Sequence, residues 1–318
     1  MIVLILLGAG AYVGWNIGAN DTANCVGTTI GCGLISYRRA VILVSVFVII
    51  GALIDGEHVM KTVGNGIINQ PLDYLSIFVA LLCSGVFVTL ATFYSIPTST
   101  SQAIVGGVLG IGLATGAQIQ YSKLVIIAES WVLCPILVLG LSYGFYFLLT
   151  KFIRRLRVGT LLVQNALGWL SIMSACYLAY SMGANNAGNA VGPIANLGIV
   201  HPQILLAIGG VSIALGALTY GKKVAATVGK GITPLDIPGA FVAQISSAFG
   251  MHMFSLMGIP VSTSSAIVGA VVGVGLVKGA KSISKKTILV ILVGWVLTPT
   301  LAAISSFLMY RFLNGFVF

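Results

Sequence analysis

Charge is what this chain has least of. Only 7% of its 318 residues are charged, with 6 acidic side chains against 16 Lys and Arg. A soluble domain carries about 25% charged residues. That shortage, with 58% hydrophobic residues, excludes a soluble globular fold. It leaves an integral membrane protein with little mass outside the bilayer. The net charge of +10 does not mark a nucleic-acid partner. The cations sit in short loops between apolar runs, where they set orientation. The apolar runs are long and unbroken by alternation, which excludes a β-barrel and predicts helices.

Other shortages exclude chemistry. The 5 cysteines, Cys25, Cys32, Cys83, Cys134 and Cys176, have no CxxC spacing. They form neither a disulfide framework nor a zinc site, and they read as buried, reduced thiols. The 3 histidines, His58, His201 and His252, have no partner spacing for a metal. There is no His-Glu-x-x-His motif and no cofactor fingerprint. An intramembrane hydrolase would need a base beside its nucleophile. Only His252 lies near a serine cluster, and in one copy only. No catalytic residue is assigned, and the chain is not read as an enzyme.

What is present is a polar, glycine-bounded run inside lipid-soluble sequence. Gly18-Ala19-Asn20-Asp21-Thr22-Ala23-Asn24-Cys25-Val26-Gly27 recurs as Gly183-Ala184-Asn185-Asn186-Ala187-Gly188-Asn189-Ala190-Val191-Gly192. An Asp at the centre of a membrane helix costs roughly 2.5–3.5 kcal/mol on insertion scales, so such residues mark function. A second polar motif is also doubled. Ile96-Pro97, Ser99-Thr100-Ser101 and Ala103-Ile104-Val105-Gly106 match Ile259-Pro260, Ser262-Thr263-Ser264 and Ala266-Ile267-Val268-Gly269. Thr62-Val63-Gly64 matches Thr227-Val228-Gly229, Pro71-Leu72-Asp73 matches Pro234-Leu235-Asp236, and Trp131-Val132-Leu133 with Pro135 matches Trp295-Val296-Leu297 with Pro299. The offsets run from 163 (96 to 259) to 165 (62 to 227), so only short gaps separate the copies.

The expected architecture is all-α and membrane-integral, with two repeats, 1–158 and 159–318, forming one transport unit. Met1 to Ile35 is too long for one straight crossing of roughly 20 residues, so a helix broken at the Gly-Ala-Asn-Asp run is expected. Met1 to Gly14 lacks a basic leader and reads as a retained span. Asp55 to Gln70 is expected as an outer loop with Asp55 and Glu57 solvated. Asp73 and Asp236 are expected as N-caps. Pro97 suits the first turn of the helix that follows it.

Loop cations choose the orientation. If each half crosses an odd number of times, the second half is inverted. Arg38, Arg39, Lys151, Arg154, Arg155, Arg157, Lys222, Lys223, Lys230, Lys278, Lys281, Lys285 and Lys286 then share one side, against Lys61, Lys123 and Arg311. That satisfies the positive-inside rule. Inverted repeats, ten crossings and both termini outside a plasma membrane follow as expectations.

The two motifs suit opposite charges. A helix start at Ser99, Thr100 and Ser101 offers unpaired N–H groups and hydroxyls at a positive dipole end, an oxyanion site. Ser262, Thr263 and Ser264 would face it. On a helix Asp21 and Asn24 share a face, as do Asn186 and Asn189. With Asn20 and Asn185, these oxygens suit a hard cation, assigned as Na⁺ at Asp21, Asn24, Asn186 and Asn189. Asp21 could instead carry a proton. Glu129, inside its own span, is a further candidate for proton coupling.

At these residues the chain resembles the inorganic phosphate transporter (PiT) family of cation-coupled symporters. That family carries doubled Gly-Ala-Asn-Asp-type and Pro-x-Ser-Thr-Thr-type motifs in inverted halves. The resemblance implies import of inorganic phosphate with Na⁺, or with H⁺, and puts Asp21, Asn24, Asn186 and Asn189 on cation positions. It puts Ser99, Thr100, Ser101, Ser262, Thr263 and Ser264 on anion positions. Asn186 stands where the family usually has Asp. Ser101-Gln102 and Ser264-Ser265 replace its usual Thr-His, so a sulfate permease of the same fold is the alternative. A passive channel is the remoter one. A homo-oligomer is left open.

Overall fold

The computed structural model describes residues 1–94, 98–155, 160–221, 235–279 and 285–317. Among them the chain forms ten α-helices: α1 Ile2–Gly31, α2 Tyr37–Lys61, α3 Tyr74–Phe93, α4 Thr100–Thr115, α5 Tyr121–Arg155, α6 Thr160–Ala195, α7 Pro202–Thr219, α8 Ile237–Leu256, α9 Thr263–Lys278 and α10 Lys285–Val317. A π-turn, Thr62–Gly66, extends α2. Seven helices are long and apolar enough to cross a membrane. The protein is a multi-pass membrane protein. Large apolar side chains such as Ile54, Leu90, Leu148, Trp169 and Phe312 are exposed around it, as lipid-facing positions require.

Asp73 and Asp236 are caps, as expected. Their carboxylates accept from Ser76 N–H at 3.3 Å and Gly239 N–H at 3.0 Å. Asp236 has a second role. Its carboxylate also meets Lys278 Nζ at 2.9 Å and the Tyr146 hydroxyl at 3.0 Å. This ties the start of α8 to the end of α9 and to α5. The start of α3 is tied to the end of α4 differently. Ile68 and Ile119 form an antiparallel bridge, with Asn69 N–H donating to Gln118 O at 3.1 Å and Gln120 N–H to Ile67 O at 2.9 Å. Each pair, α3–α4 and α8–α9, is therefore a helical hairpin whose two ends lie together, and the caps that start its second helix, Ser99 and Ser262, are buried.

The halves interlock. Helix α1 packs on α3, α6 and α7, and α6 packs on α8, α1 and α2. Helix α10 closes over α3 and α4, while α5 closes over α8 and α9. Exchanging the two five-helix halves maps these contacts onto themselves. The expected boundary at 158 and 159 lies outside the described residues, as do Arg157, Lys222, Lys223, Lys230 and Lys281.

Glycine makes the crossings tight. A Cβ on Gly18 would lie 1.9 Å from Ile213 O, and one on Gly216 would lie 1.9 Å from Trp15 O. Both pin α1 to α7. The same pair recurs between α2 and α6, where Gly51 faces Tyr180 O at 2.0 Å and Gly183 faces Val48 O at 2.0 Å. The obstacle is backbone, so no rotamer change relieves it. Gly18→Ala or Gly183→Ala is expected to destabilise by about 1–3 kcal/mol, as overpacked sites do. A lowered melting temperature in detergent checks this; unchanged melting would mean the crossings are looser.

Two expectations fail. Helix α1 is not broken at Gly18–Gly27 but runs for 30 residues, about 45 Å, and Thr22 donates back to Gly18 O at 2.6 Å. The glycines there serve helix contact rather than unwinding. The helical interruptions nearest the site are the hairpin tips. In the second copy Ser262 is the N-cap of α9, and Pro260 lies two residues before it. Pro97 lies outside the described residues. Asp55 is not in a solvated loop either; it sits inside α2, partly covered by α6 and α8.

Candidate functional site

The site forms where four helices meet. Two are long helices crossing side by side, α1 and α6. Two are short helices, α4 and α9, whose N-termini point at each other from the hairpin tips. Ser99 caps α4 by accepting from Gln102 N–H at 3.3 Å, and Ser262 caps α9 by accepting from Ser265 N–H at 3.2 Å. The next N–H groups, on Thr100, Ser101, Thr263 and Ser264, have no acceptor one turn back, as at any helix start. The two ends are tied reciprocally. Ser101 Oγ donates to Val261 O at 2.8 Å, and Ser264 Oγ donates to Thr98 O at 3.4 Å.

Asp21 is the only carboxylate in the cluster, and it is 1% exposed. Its Oδ2 accepts from Thr100 Oγ1 at 2.8 Å and from Asn186 Nδ2 at 3.1 Å. Its Oδ1 accepts from Asn24 at 3.4 Å. Asn186, its partner in the other half, treats α9 as Asp21 treats α4, donating to Thr263 Oγ1 at 3.1 Å. Asp21 and Asn186, equivalent at the repeat offset, thus touch each other directly. The flanking amides repeat the symmetry: Asn20 donates to Thr92 at 2.8 Å and Asn185 to Ser255 at 3.0 Å. Asn189 donates to Ser101 Oγ at 2.8 Å and to Asn186 Oδ1 at 3.2 Å. Ser262 and Ser264 bond each other at 2.9 Å.

All twelve expected site residues therefore lie in one buried region. The motifs expected to act separately, hydroxyls on an anion and amides on a cation, share hydrogen bonds. Three buried oxygens at its edge have no partner among the described residues: Asn189 Oδ1, Gln102 Oε1 and Thr98 Oγ1. Unpaired buried acceptors are rare and costly, and they are hard donors of the kind Na⁺ takes. Among the described residues no group of three His, Cys, Asp or Glu side chains could hold a transition metal. Sequence reasoning missed Thr92, Ser255 and Thr98. Their signal was present: Thr92 and Ser255 are equivalent at the repeat offset. Glu129 is exposed on α5 and stands apart from this network.

A sequence profile of the phosphate transporter family matches residues 17–306. The chain belongs to the phosphate transporter family. It is a transport protein rather than an enzyme. Its relatives include a putative phosphate permease of Methanocaldococcus jannaschii, 31% identical over 94% of this chain and 94% of the relative. Another, from Pyrococcus horikoshii, is 30% identical over 98% and 97%. A chloroplastic inorganic phosphate transporter of Arabidopsis thaliana is 27% identical over 96% of this chain and 72% of its own length. A solved structure of a sodium-dependent phosphate transporter superposes with a TM-score of 0.89 at 26% identity, covering 98% of this chain and 99% of that one. The family match spans both polar motifs and both hairpins.

Proposed function

We propose that this protein imports inorganic phosphate across the plasma membrane by symport with Na⁺. The observation that carries the reading is the meeting of Asp21 and Asn186 between two converging helix N-termini. A helix N-terminus favours an anion, and hydroxyls add donors. Two such ends surround a tetrahedral oxyanion, with Ser99, Thr100 and Ser101 on one side and Ser262, Thr263 and Ser264 on the other. Asp21 beside them is repulsive to phosphate unless a cation screens it. Asp21, Asn24, Asn186 and the unpaired Asn189 and Gln102 oxygens supply a hard-oxygen set for that cation. The coupling ion and the anion then hold each other in place. Sodium is preferred over a proton because the unpaired acceptors outnumber what one proton satisfies, and because the superposed structure is that of a sodium-dependent transporter.

Phosphate rather than sulfate follows from protonation. Phosphate near neutral pH keeps a P–O–H that donates; sulfate only accepts. A site holding surplus acceptors disfavours the ligand that leaves them unpaired. Uptake of labelled phosphate into proteoliposomes should be driven uphill by an inward Na⁺ gradient, and excess sulfate should barely reduce it. Uptake driven by a proton gradient alone would replace the cation. Equal competition by sulfate would leave a general oxyanion symporter, and purely downhill flux would leave a channel.

The halves 1–158 and 159–318 are read as inverted repeats. Because α3 and α4 begin and end together, they return the chain to one side at whatever depth the tip lies. Helices α1, α2 and α5 in the first half, and α6, α7 and α10 in the second, then give each half three passages rather than the expected five, still an odd number, which inverts the second. The cation asymmetry puts both termini outside. Cysteines introduced near Arg155 and Lys285 should both be shielded from an impermeant thiol reagent added outside. Labelling of only one would refute the inversion.

A further inference from the structure

We infer that Asp55, His252, Tyr177 and Tyr180 form a proton-binding site, separate from the Asp21–Asn186 cluster, that latches one hairpin shut. His252 is one turn from the end of α8, just before the tip that carries Ser262–Ser264. Its Nε2 lies 3.1 Å from Asp55 Oδ2 on α2, and its Nδ1 lies 2.9 Å from the Tyr177 hydroxyl on α6. The Tyr180 hydroxyl donates to the same Asp55 oxygen. The rings of Tyr177 and Tyr180 pack edge-on against the imidazole at 5.7 and 5.4 Å. The tip itself rests on α2, where a Cβ on Gly258 would lie 3.0 Å from His58 O.

The other half has the same layer without the charges. At the repeat offset, Tyr177 corresponds to Tyr12, Tyr180 to Trp15, His252 to Thr89 and Asp55 to Tyr220. Tyr12 bonds Thr89, and Trp15 stacks near Tyr220 at 6.0 Å. Each hairpin arm is therefore tied to the scaffold at one level, but only the α8 arm is tied through an imidazole and a carboxylate. The Asp55 and His252 side chains are 17% and 19% exposed, so protons reach them. The neighbouring elements also carry Glu57, paired with Lys61 at 2.7 Å, and His58 on α2, with Tyr37, Arg38 and Arg39 at that helix's other end, Cys176 on α6, and His201 at the start of α7.

The sign follows from charge. With one proton held, an imidazolium faces a carboxylate, Nδ1–H donates to Tyr177, and the net charge is zero. Losing that proton leaves a neutral imidazole beside a carboxylate, a weaker bond. The proton therefore favours the closed arrangement, and closure loosens when the imidazole gives it up at higher pH. This rests on the transport reading above.

The test reads distance and flux separately. Encoded spin-label residues at Lys61 and Met257, which leave the native cysteines in place, report the gap between α2 and the tip without phosphate. Going from pH about 8.5 to about 5.5, the ratio of short to long distances should rise roughly fivefold to tenfold. His252→Gln and Asp55→Asn should flatten that response. Tyr180→Phe, which keeps the ring packing, should lower the short population at both pH values. In uptake assays the ratio of wild type to His252→Gln at each pH cancels phosphate ionisation, and it should fall as pH falls. A wild-type distance that ignores pH, or an equal response in His252→Gln, overturns the latch. Loss of phosphate uptake with the distance response intact would instead overturn the transport reading.

Discussion

Asp21→Asn is expected to reduce Na⁺-driven phosphate uptake by more than about a hundredfold. The substitution keeps the shape and removes the charge. In the native site Asp21 Oδ2 accepts two hydrogen bonds, from Thr100 and from Asn186, and Oδ1 accepts from Asn24. An Asn at this position must turn its NH₂ toward one of these donors, so one side of the network loses its acceptor. Breaking a buried charged set of this kind costs about 3–5 kcal/mol. The larger loss is functional. Asp21 supplies the only formal negative charge in the two motifs, so the cation would be held by dipoles alone. A few kcal/mol on the cation is a hundredfold or more in its affinity. Uptake under an imposed Na⁺ gradient, with melting in detergent as a check on folding, decides the matter. Normal uptake with unchanged cation dependence would make the carboxylate structural.

The placement of the twelve polar residues was legible because repetition and polarity survive without coordinates. Two copies of Gly-Ala-Asn, 165 positions apart, and two of Ser-Thr-Ser, 163 apart, required two helices and two helix starts related to each other. Helix α1's continuity was not legible. Glycine next to Asn and Asp reads equally as unwinding or as close packing, and only the approach of α7 to Gly18 separates the two. The hairpins were half legible: Asp73 and Asp236 marked helix starts, but the Ile68–Ile119 bridge that closes the first hairpin has no local signature. The Asp55–His252 cluster was invisible for a different reason. Its members are 197 positions apart, and no repeat partner flags them, because the other half holds Tyr220 and Thr89 instead. Interlocking of α5 and α10 with the opposite hairpins is a tertiary fact that no local pattern carries.

Asn186→Asp should have the opposite kind of effect from Asp21→Asn: uptake persists, but its cation dependence changes. Asn186 Nδ2 is 3.1 Å from Asp21 Oδ2 and 3.1 Å from Thr263 Oγ1. With Asp there, Thr263 can donate to the new carboxylate as Thr100 does to Asp21, so the site becomes symmetric in donors. The attractive N–H···O contact becomes a contact between two carboxylate oxygens. At about 3 Å and an effective dielectric of about 20, two unit charges repel by about 5 kcal/mol. The pair cannot stay doubly ionised without a bound cation, as in other close carboxylate pairs. Either a further Na⁺ or a proton must enter. The Na⁺ dependence of uptake should therefore steepen, by roughly one added ion in its Hill slope. At low Na⁺, uptake should now rise as pH falls, because a proton neutralises the pair when sodium is scarce; at high Na⁺ that pH dependence should shrink. Phosphate uptake measured across Na⁺ concentration at two pH values reads both effects, with His252→Gln as background to remove the pH response of the α8 hairpin. A Na⁺ curve that superimposes on that of the background protein would mean that Asn186 lies outside the cation site, and that Asp21 holds its ion with the oxygens of α1 and α4 alone.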